Sequence, residues 1–191
     1  MTRAEVEKIV AKARAENKTP NLQGANLWVT NLRFADLQGV DLQAAKLRGS
    51  DLQGANLWGA NLQRADLQDT NLCHTTLQGA NLQGADLQWA NLRVTNLRAA
   101  DLRDVDLCGA DLCGADLHAA DFQGANLRDA DMRGANLRGA NLQFANLQDA
   151  NLQDANLWGA SLRFPSLWGA DLRGCKWDGP LEDLKSQGGD A

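Results

Sequence analysis

The residues best suited to chemistry are gathered in one stretch, "DLCGADLCGADLHAAD", which runs from Asp106 to Asp121. Cys108, Cys113 and His118 lie five residues apart, and thiolate with imidazole is a donor set that a tetrahedral zinc ion accepts. Asp66, Asp86 and Asp106 add carboxylates 20 residues apart, which would suit a hard cation if the backbone stacked them. Cys113 is flanked at the same spacing by Arg93 and Arg133, and His118 by Arg98 and Arg138. Such an electropositive setting would favour a thiolate, although Asp111 and Asp116 lie close enough to oppose it. Whether any of these groups converge depends on the backbone that carries them.

That backbone repeats every five residues. In "ANLQDANLQDANLWGA", residues 145–160, a leucine returns at every fifth position, and the phase runs without insertion from Asn21 to Cys175. On a helix turning about 100° per residue such leucines would spiral around the cylinder and leave no apolar face. In a continuous strand the odd spacing would send them to alternate faces. The regular solution left is a coil that bends at a corner once per pentad, each side contributing one inward leucine.

Of the 31 central positions from Leu22 to Leu172, 29 are Leu, with Phe122 and Met132 the exceptions. Two residues earlier stands a small residue, mostly Ala, that must also face inward. The position just before the centre is nearly always Asn or Asp, whose short side chains bond nearby backbone at turns. After the centre come one long polar residue and then, in 15 of 31 pentads, Gly, which suits the positive φ of a type II turn.

Columns of residues 20 apart set the number of pentads per coil. Gln23, Gln43, Gln63, Gln83, Arg103, Gln123, Gln143 and Arg163 form one such column, and Gly39, Gly59, Gly79, Ala99, Ala119, Gly139, Gly159 and Gly179 another. A three-pentad coil breaks both, so a square cross-section is expected. On it Cys108, Cys113 and His118 leave from three faces and diverge, so no metal or cofactor is expected. The aspartate column reads first as turn chemistry, and the glutamine column as an amide ladder.

The repeated A(N/D)LXX pattern resembles the pentapeptide-repeat proteins over 155 of 191 residues. The resemblance implies an all-β fold, a right-handed quadrilateral β-helix. Stacking 31 pentads at about 4.8 Å per coil gives about eight coils and a rod roughly 37 Å long. Three segments follow: residues 1–20 as a short N-terminal α-helical cap, 21–175 as the β-helix, and 176–191 as a C-terminal cap and frayed tail. Thr2 and Glu5 make a capping-box pattern, and Val6, Ile9, Val10 and Ala13 share one helical face. Pro20 takes the first inward small position. Leu181 and Leu184 offer an apolar cap at the other end.

The formal charge is −5, from 24 acidic and 19 basic residues, and no apolar run approaches a membrane span. Neither direct nucleic-acid binding nor a membrane association is expected. The N-terminus lacks a continuous apolar stretch of the secretory kind, and the four cysteines, Cys73, Cys108, Cys113 and Cys175, are too few for a disulfide scaffold. A cytoplasmic location is the expectation.

Tight corners and a leucine-filled interior leave no pocket, and no nucleophile, base and orienting residue form a constellation, so no enzyme is expected. An ice-binding face would need a regular threonine array, which Thr30, Thr70, Thr75, Thr76 and Thr95 do not make. Five aromatics near the C-terminal end, Phe144, Trp158, Phe164, Trp168 and Trp177, exceed what a solvated surface requires. They suggest association with an unidentified protein partner or an end-to-end homodimer, or else packing beneath the C-terminal segment. A nonenzymatic interaction scaffold is the first reading. The family resemblance raises a second: some members mimic DNA, bind DNA gyrase and protect it from quinolones or toxins. Here residues 21–175 carry 17 Asp against 12 Lys or Arg, and ten of the arginines project outward, which dilutes a DNA-like field. The almost pure leucine centre also departs from the phenylalanine-rich centres of gyrase-binding members.

Overall fold

Residues 1–179 are described in the computed structural model, so Leu181 and Leu184 lie outside the described residues. From Asn21 onward the chain is a stack of parallel bridges, each joining a residue to the one 20 further on, such as Asn21 to Asp41, Asp66 to Asp86 and Asn156 to Lys176. Four pentads therefore complete one coil. We name the four faces by their first central residues, Leu22, Leu27, Leu32 and Leu37.

Each pentad accounts for its own backbone donors. The central N–H donates to the next coil, as Leu22 does to Asp41 O at 2.7 Å, and the corner N–H does likewise, Gly24 to Gln43 O at 2.9 Å. The residue before the centre donates to the coil behind, Asp41 to Pro20 O at 2.9 Å. The small residue closes the turn, Ala25 N to Leu22 O at 3.0 Å. One N–H remains, that of the residue after the centre. The Asn or Asp two positions earlier accepts it through Oδ1, as Asn21 does from Gln23 at 2.9 Å and Asp111 from Cys113 at 3.0 Å. This is why those two residue types dominate that position: a buried or half-buried donor without a partner costs about 1–3 kcal/mol. Pentads that carry Lys46, Thr76, Ser161 or Ser166 there lack this bond among the described residues.

The central side chains fill the interior. From Leu27 to Leu157 every one is buried, including Phe122 and Met132. Fully burying a side chain of this size is worth about 1.5–3 kcal/mol before chain entropy is set against it. Polar residues in the inward small position are satisfied across coils: the hydroxyls of Thr70, Thr75 and Thr95 donate to the carbonyls of Leu47, Leu52 and Leu72 at 3.0, 2.9 and 2.8 Å. Ser50 does the same to Leu27 O at 2.6 Å.

The first coil is closed by α1, Arg3–Ala15. Thr2 and Glu5 form the reciprocal capping box, and Val6 and Val10 are buried against the leucine column with Ile9 packed beside them. The exposed coil edge presents carbonyls that, anywhere else in the stack, would accept from a preceding coil. Here Arg3 Nη1 donates to Arg33 O at 2.9 Å, and Arg14 Nη2 reaches Asp36 O and Gln38 O at 3.4 and 3.5 Å. Arg14 Nη1 also binds the Asp36 carboxylate at 2.6 Å. The Met1 amino group donates to Asn26 O at 2.7 Å.

Candidate interaction surface

The corners carry the outward chemistry. Every corner residue has positive φ, whether glycine or not: Trp89 sits at 59°, Phe144 at 59°, Phe164 at 55° and Val94 at 53°. A non-glycine residue in this left-handed region costs roughly 1–2 kcal/mol. The corner side chain leans toward the equivalent corner one coil on, and there glycine commonly makes room. A Cβ at Gly54 would lie 2.5 Å from Cε1 of Phe34, one at Gly109 would overlap the Trp89 indole, and one at Gly124 would lie 2.6 Å from Asp104 Oδ1. The pairing of a bulky corner with a glycine 20 residues later is a signal present in the sequence that turn chemistry alone does not reveal.

Cys108, Cys113 and His118 follow Leu107, Leu112 and Leu117, on the Leu27, Leu32 and Leu37 faces respectively. The structure does not bring them together. Above and below Cys113, the two arginines are already engaged: Arg93 Nη1 binds Asp111 Oδ2 at 3.3 Å, and Arg133 Nη2 binds Asp131 Oδ2 at 2.6 Å. The Arg133 guanidinium holds the Asp131 carboxyl below the usual range. Burial, with Asp106 beside it, pushes the Cys108 thiol up. Cys175 differs from the other three by pointing inward, where Sγ donates to Leu152 O at 3.0 Å and burial raises its pKa to about 11.

The stacked aspartates do turn work. Asp86 Oδ1 accepts from the Gln88 N–H at 3.1 Å and its Oδ2 from the Gln68 amide, while Asp106 accepts from Cys108 N, Gln88 Nε2 and Asn126 Nδ2 at 3.0, 3.0 and 2.9 Å. The glutamine ladder is partial, with amide bonds joining Gln23 to Gln43 at 2.5 Å and Gln63 to Gln83 at 3.3 Å.

The five C-terminal aromatics occupy different settings. Phe144 and Phe164 share one corner column, stacked with centroids 5.7 Å apart and planes at 16°. Phe164 is 78% exposed and Phe144 57%, although each other's ring is their aromatic neighbour. Leu162, Arg163 and Pro165 extend this corner into a shallow dent, in which Leu162 is a central side chain left only partly buried. Trp168, 66% exposed, follows the centre Leu167 on the next face, that of Leu27, and Trp158, 54% exposed, lies on the opposite Leu37 face. Trp177 is half-buried against the core, and its indole N–H has no partner among the described residues. The geometry therefore joins Phe144 and Phe164, sets Trp168 on the adjacent face, and separates Trp158 and Trp177 from that group.

Among the described residues no helix is long and apolar enough to cross a membrane. The pentapeptide-repeat family matches in 8 copies, over residues 21–59, 60–98, 100–139 and 140–176. Among solved structures, a thylakoid-lumen pentapeptide-repeat protein of Arabidopsis thaliana is 36% identical, with 56% of this chain and 72% of that chain covered and a TM-score of 0.51. HetL of Nostoc sp. strain PCC 7120, a pentapeptide-repeat protein involved in heterocyst differentiation regulation, is 35% identical over 82% of this chain and 76% of its own, with a TM-score of 0.38. QnrB1, a plasmid-mediated fluoroquinolone resistance protein, is 19% identical over 87% and 90%, with a TM-score of 0.37. A comparison with curated proteins finds no match. The unbroken five-residue phase, the 20-residue bridge register and the family match over residues 21–176 place the chain in the pentapeptide-repeat family, whose members form right-handed β-helices.

Proposed function

We propose that the chain is a nonenzymatic docking rod, a rigid scaffold that engages a protein partner through the corner built on Phe144 and Phe164, with Trp168 on the adjacent face. The observation that carries this reading is the state of Phe164: a large aromatic held at φ 55° and left 78% exposed. Backbone strain and exposed apolar area are both unfavourable in the free chain, and a covering partner offsets the second. Stacking on Phe144 presents the two rings as one rigid apolar step, the kind of anchor that dominates binding energy at protein interfaces.

The test is a Phe164→Asp, Trp168→Asp variant compared with the native chain. Light scattering shows whether the corner joins two copies, and affinity capture with each chain as bait shows whether it holds another protein. The expected result is a partner or self-associated species retained by the native chain and lost by the variant. Identical mass and identical captured proteins for the two chains would remove the reading.

The gyrase-effector reading finds less support in the charge layout. On the Leu32 face each arginine has its own aspartate, Arg33 with Asp51, Arg93 with Asp111, Arg133 with Asp131 and Arg173 with Asp171. Such a face presents local ion pairs rather than the continuous negative field of a DNA surface. Gyrase supercoiling unaffected by micromolar protein is the expected outcome.

A further inference from the structure

The Leu22 face carries a comb with a two-coil period. Its corner column alternates small and large residues, running Ala44, Arg64, Gly84, Asp104, Gly124 and Phe144. The teeth, Arg64, Asp104 and Phe144, are all exposed. Among the described residues neither the Arg64 guanidinium nor the Asp104 carboxylate has an ion pair or hydrogen bond, although both line one depression of about 350 Å³. Arg103 is by contrast committed to Asp101, with Nε 2.8 Å from Oδ1. A second depression, of about 360 Å³, shares Gln83 and Asp104 with the first and ends on Phe144. Together they form one shallow trough along the rod. Its floor is amide: Gln23 Nε2 donates to Gln43 and Gln63 Nε2 to Gln83, which leaves the Nε2 groups of Gln43, Gln83 and Gln123 without an acceptor among the described residues. These open donors stand beside the small corners, on the coils between the teeth.

Coils stack at about 4.8 Å, so teeth on every second coil recur at about 9.6 Å. A polyproline II chain has three residues per turn and rises about 3.1 Å per residue, so its side chains at i and i+3 face the same way about 9.3 Å apart. Its carbonyls have no internal partner. A β-strand repeats its facing side chains at about 6.6 Å and falls out of step with the comb. We propose that the trough binds a proline-rich segment of a partner protein in the polyproline II conformation. An acidic side chain meets Arg64, a basic one three residues along meets Asp104, and an apolar one a further three along packs on Phe144. The open glutamine amides donate to one carbonyl per turn. A chain already held in this conformation loses little freedom on binding. The inference deepens the docking-rod reading by naming the partner's chemistry, and rests on it only for the premise that a protein is bound. It shares Phe144 with the aromatic corner but depends on Arg64 and Asp104, which that corner does not use.

The experiment titrates the full chain into a fluorescent synthetic peptide and reads anisotropy. The probe has glutamate, lysine and phenylalanine at its first, fourth and seventh positions and proline between them; a second probe carries the reverse order, since either chain direction satisfies the comb. The expected result is saturable binding of one order, weakened at least about tenfold by Arg64→Glu or by Asp104→Lys. Exchanging glutamate and lysine in the probe weakens binding to the native chain as much, and restores it to a chain carrying both substitutions. Replacing the prolines by glycine and serine weakens binding at least about threefold, because the free peptide is no longer held extended. The Phe164→Asp, Trp168→Asp variant binds the probe as the native chain does, so failure of the aromatic corner and failure of the trough are distinguishable. Absence of saturable binding for both orders overturns the proposal, as does binding indifferent to the charge exchange or to the loss of proline. The charge exchange in the probe is read on the native chain, so the outcome does not depend on the folding of any variant.

Discussion

The Phe34 ring occupies the space that a side chain at Gly54, one coil later, would need; a Cβ there would lie 2.5 Å from Cε1 and 2.6 Å from Cδ1. Gly59, on the next corner, has a similar positive φ, 62° against 68° at Gly54, but nothing within 4 Å. The two glycines thus separate backbone strain from steric conflict. Gly59→Ala is expected to cost about 0.5–1 kcal/mol, the left-handed penalty of about 1–2 kcal/mol less the unfolded-state entropy that alanine recovers. Gly54→Ala is expected to cost about 1–3 kcal/mol beyond that, from overpacking against the ring. In a Phe34→Ala background the excess disappears. Denaturant midpoints of the four chains check this, and equal costs at Gly54 and Gly59 would show that the ring swings away freely.

The converse holds where a corner lacks glycine. Ala99 sits at φ 51° on an otherwise Gly- and Ala-lined corner. Ala99→Gly removes the left-handed penalty of about 1–2 kcal/mol and adds about 0.5–1 kcal/mol of unfolded-state entropy. A net gain of about 0.5–1 kcal/mol is expected. A lower thermal midpoint for the variant would contradict it.

How much of this was legible beforehand follows from which contacts are periodic. The leucine phase predicted a coil bent at each pentad, and the columns of glutamine and glycine predicted a 20-residue register; bridges such as Asp41 to Asn61 bear out that register. Thr2 and Glu5 predicted the capping box. The chain does not announce in the same way that Trp89 and Phe34 share a backbone conformation with glycine, because a corner imposes positive φ whatever side chain it holds. Nor do Arg3 and Arg14 announce their carbonyl partners, since those bonds span more than 20 residues and exist only once the helix is seated. The C-terminal aromatics read as one group along the chain, but three of the four faces divide them, and Trp177 falls at a central, inward phase.

The four thiols divide by direction in the same manner. Cys73, Cys108 and Cys113 follow their centres and project outward, whereas Cys175 occupies the small inward position with a pKa raised to about 11 by burial. Alkylation requires the thiolate and access to it. At mildly alkaline pH, iodoacetamide is therefore expected to modify Cys175 last of the four in the folded chain, with that order lost in denaturant. Mass spectrometry of timed digests reads the order. Early modification of Cys175 would mean that the last coil opens readily at this point.

Acid should release α1 before it harms the stack. The Arg14 guanidinium holds the Asp36 carboxyl below its usual range, and the Thr2 backbone N–H does the same for Glu5. A carboxyl whose folded pKa is depressed contributes stability that is fully present above its unfolded value, about 3.9 for Asp and 4.3 for Glu, and is lost as pH falls through the folded value. Helix docking should therefore be indifferent to pH above about 5 and weaken progressively below about 4. Arg103 and Arg173 depress Asp101 and Asp171 with the same sign, yet those pairs sit outside coils whose leucine core does not titrate. Hydrogen exchange resolved by peptide separates the two events: protection in residues 2–15 is expected to fall at a higher pH than protection in residues 60–140. Asp36→Asn removes the Arg14 ion pair, so it should lower helix protection at neutral pH and flatten its acid response. Simultaneous loss of both regions, or an unchanged titration in Asp36→Asn, would show that the valines alone hold α1 to the first coil.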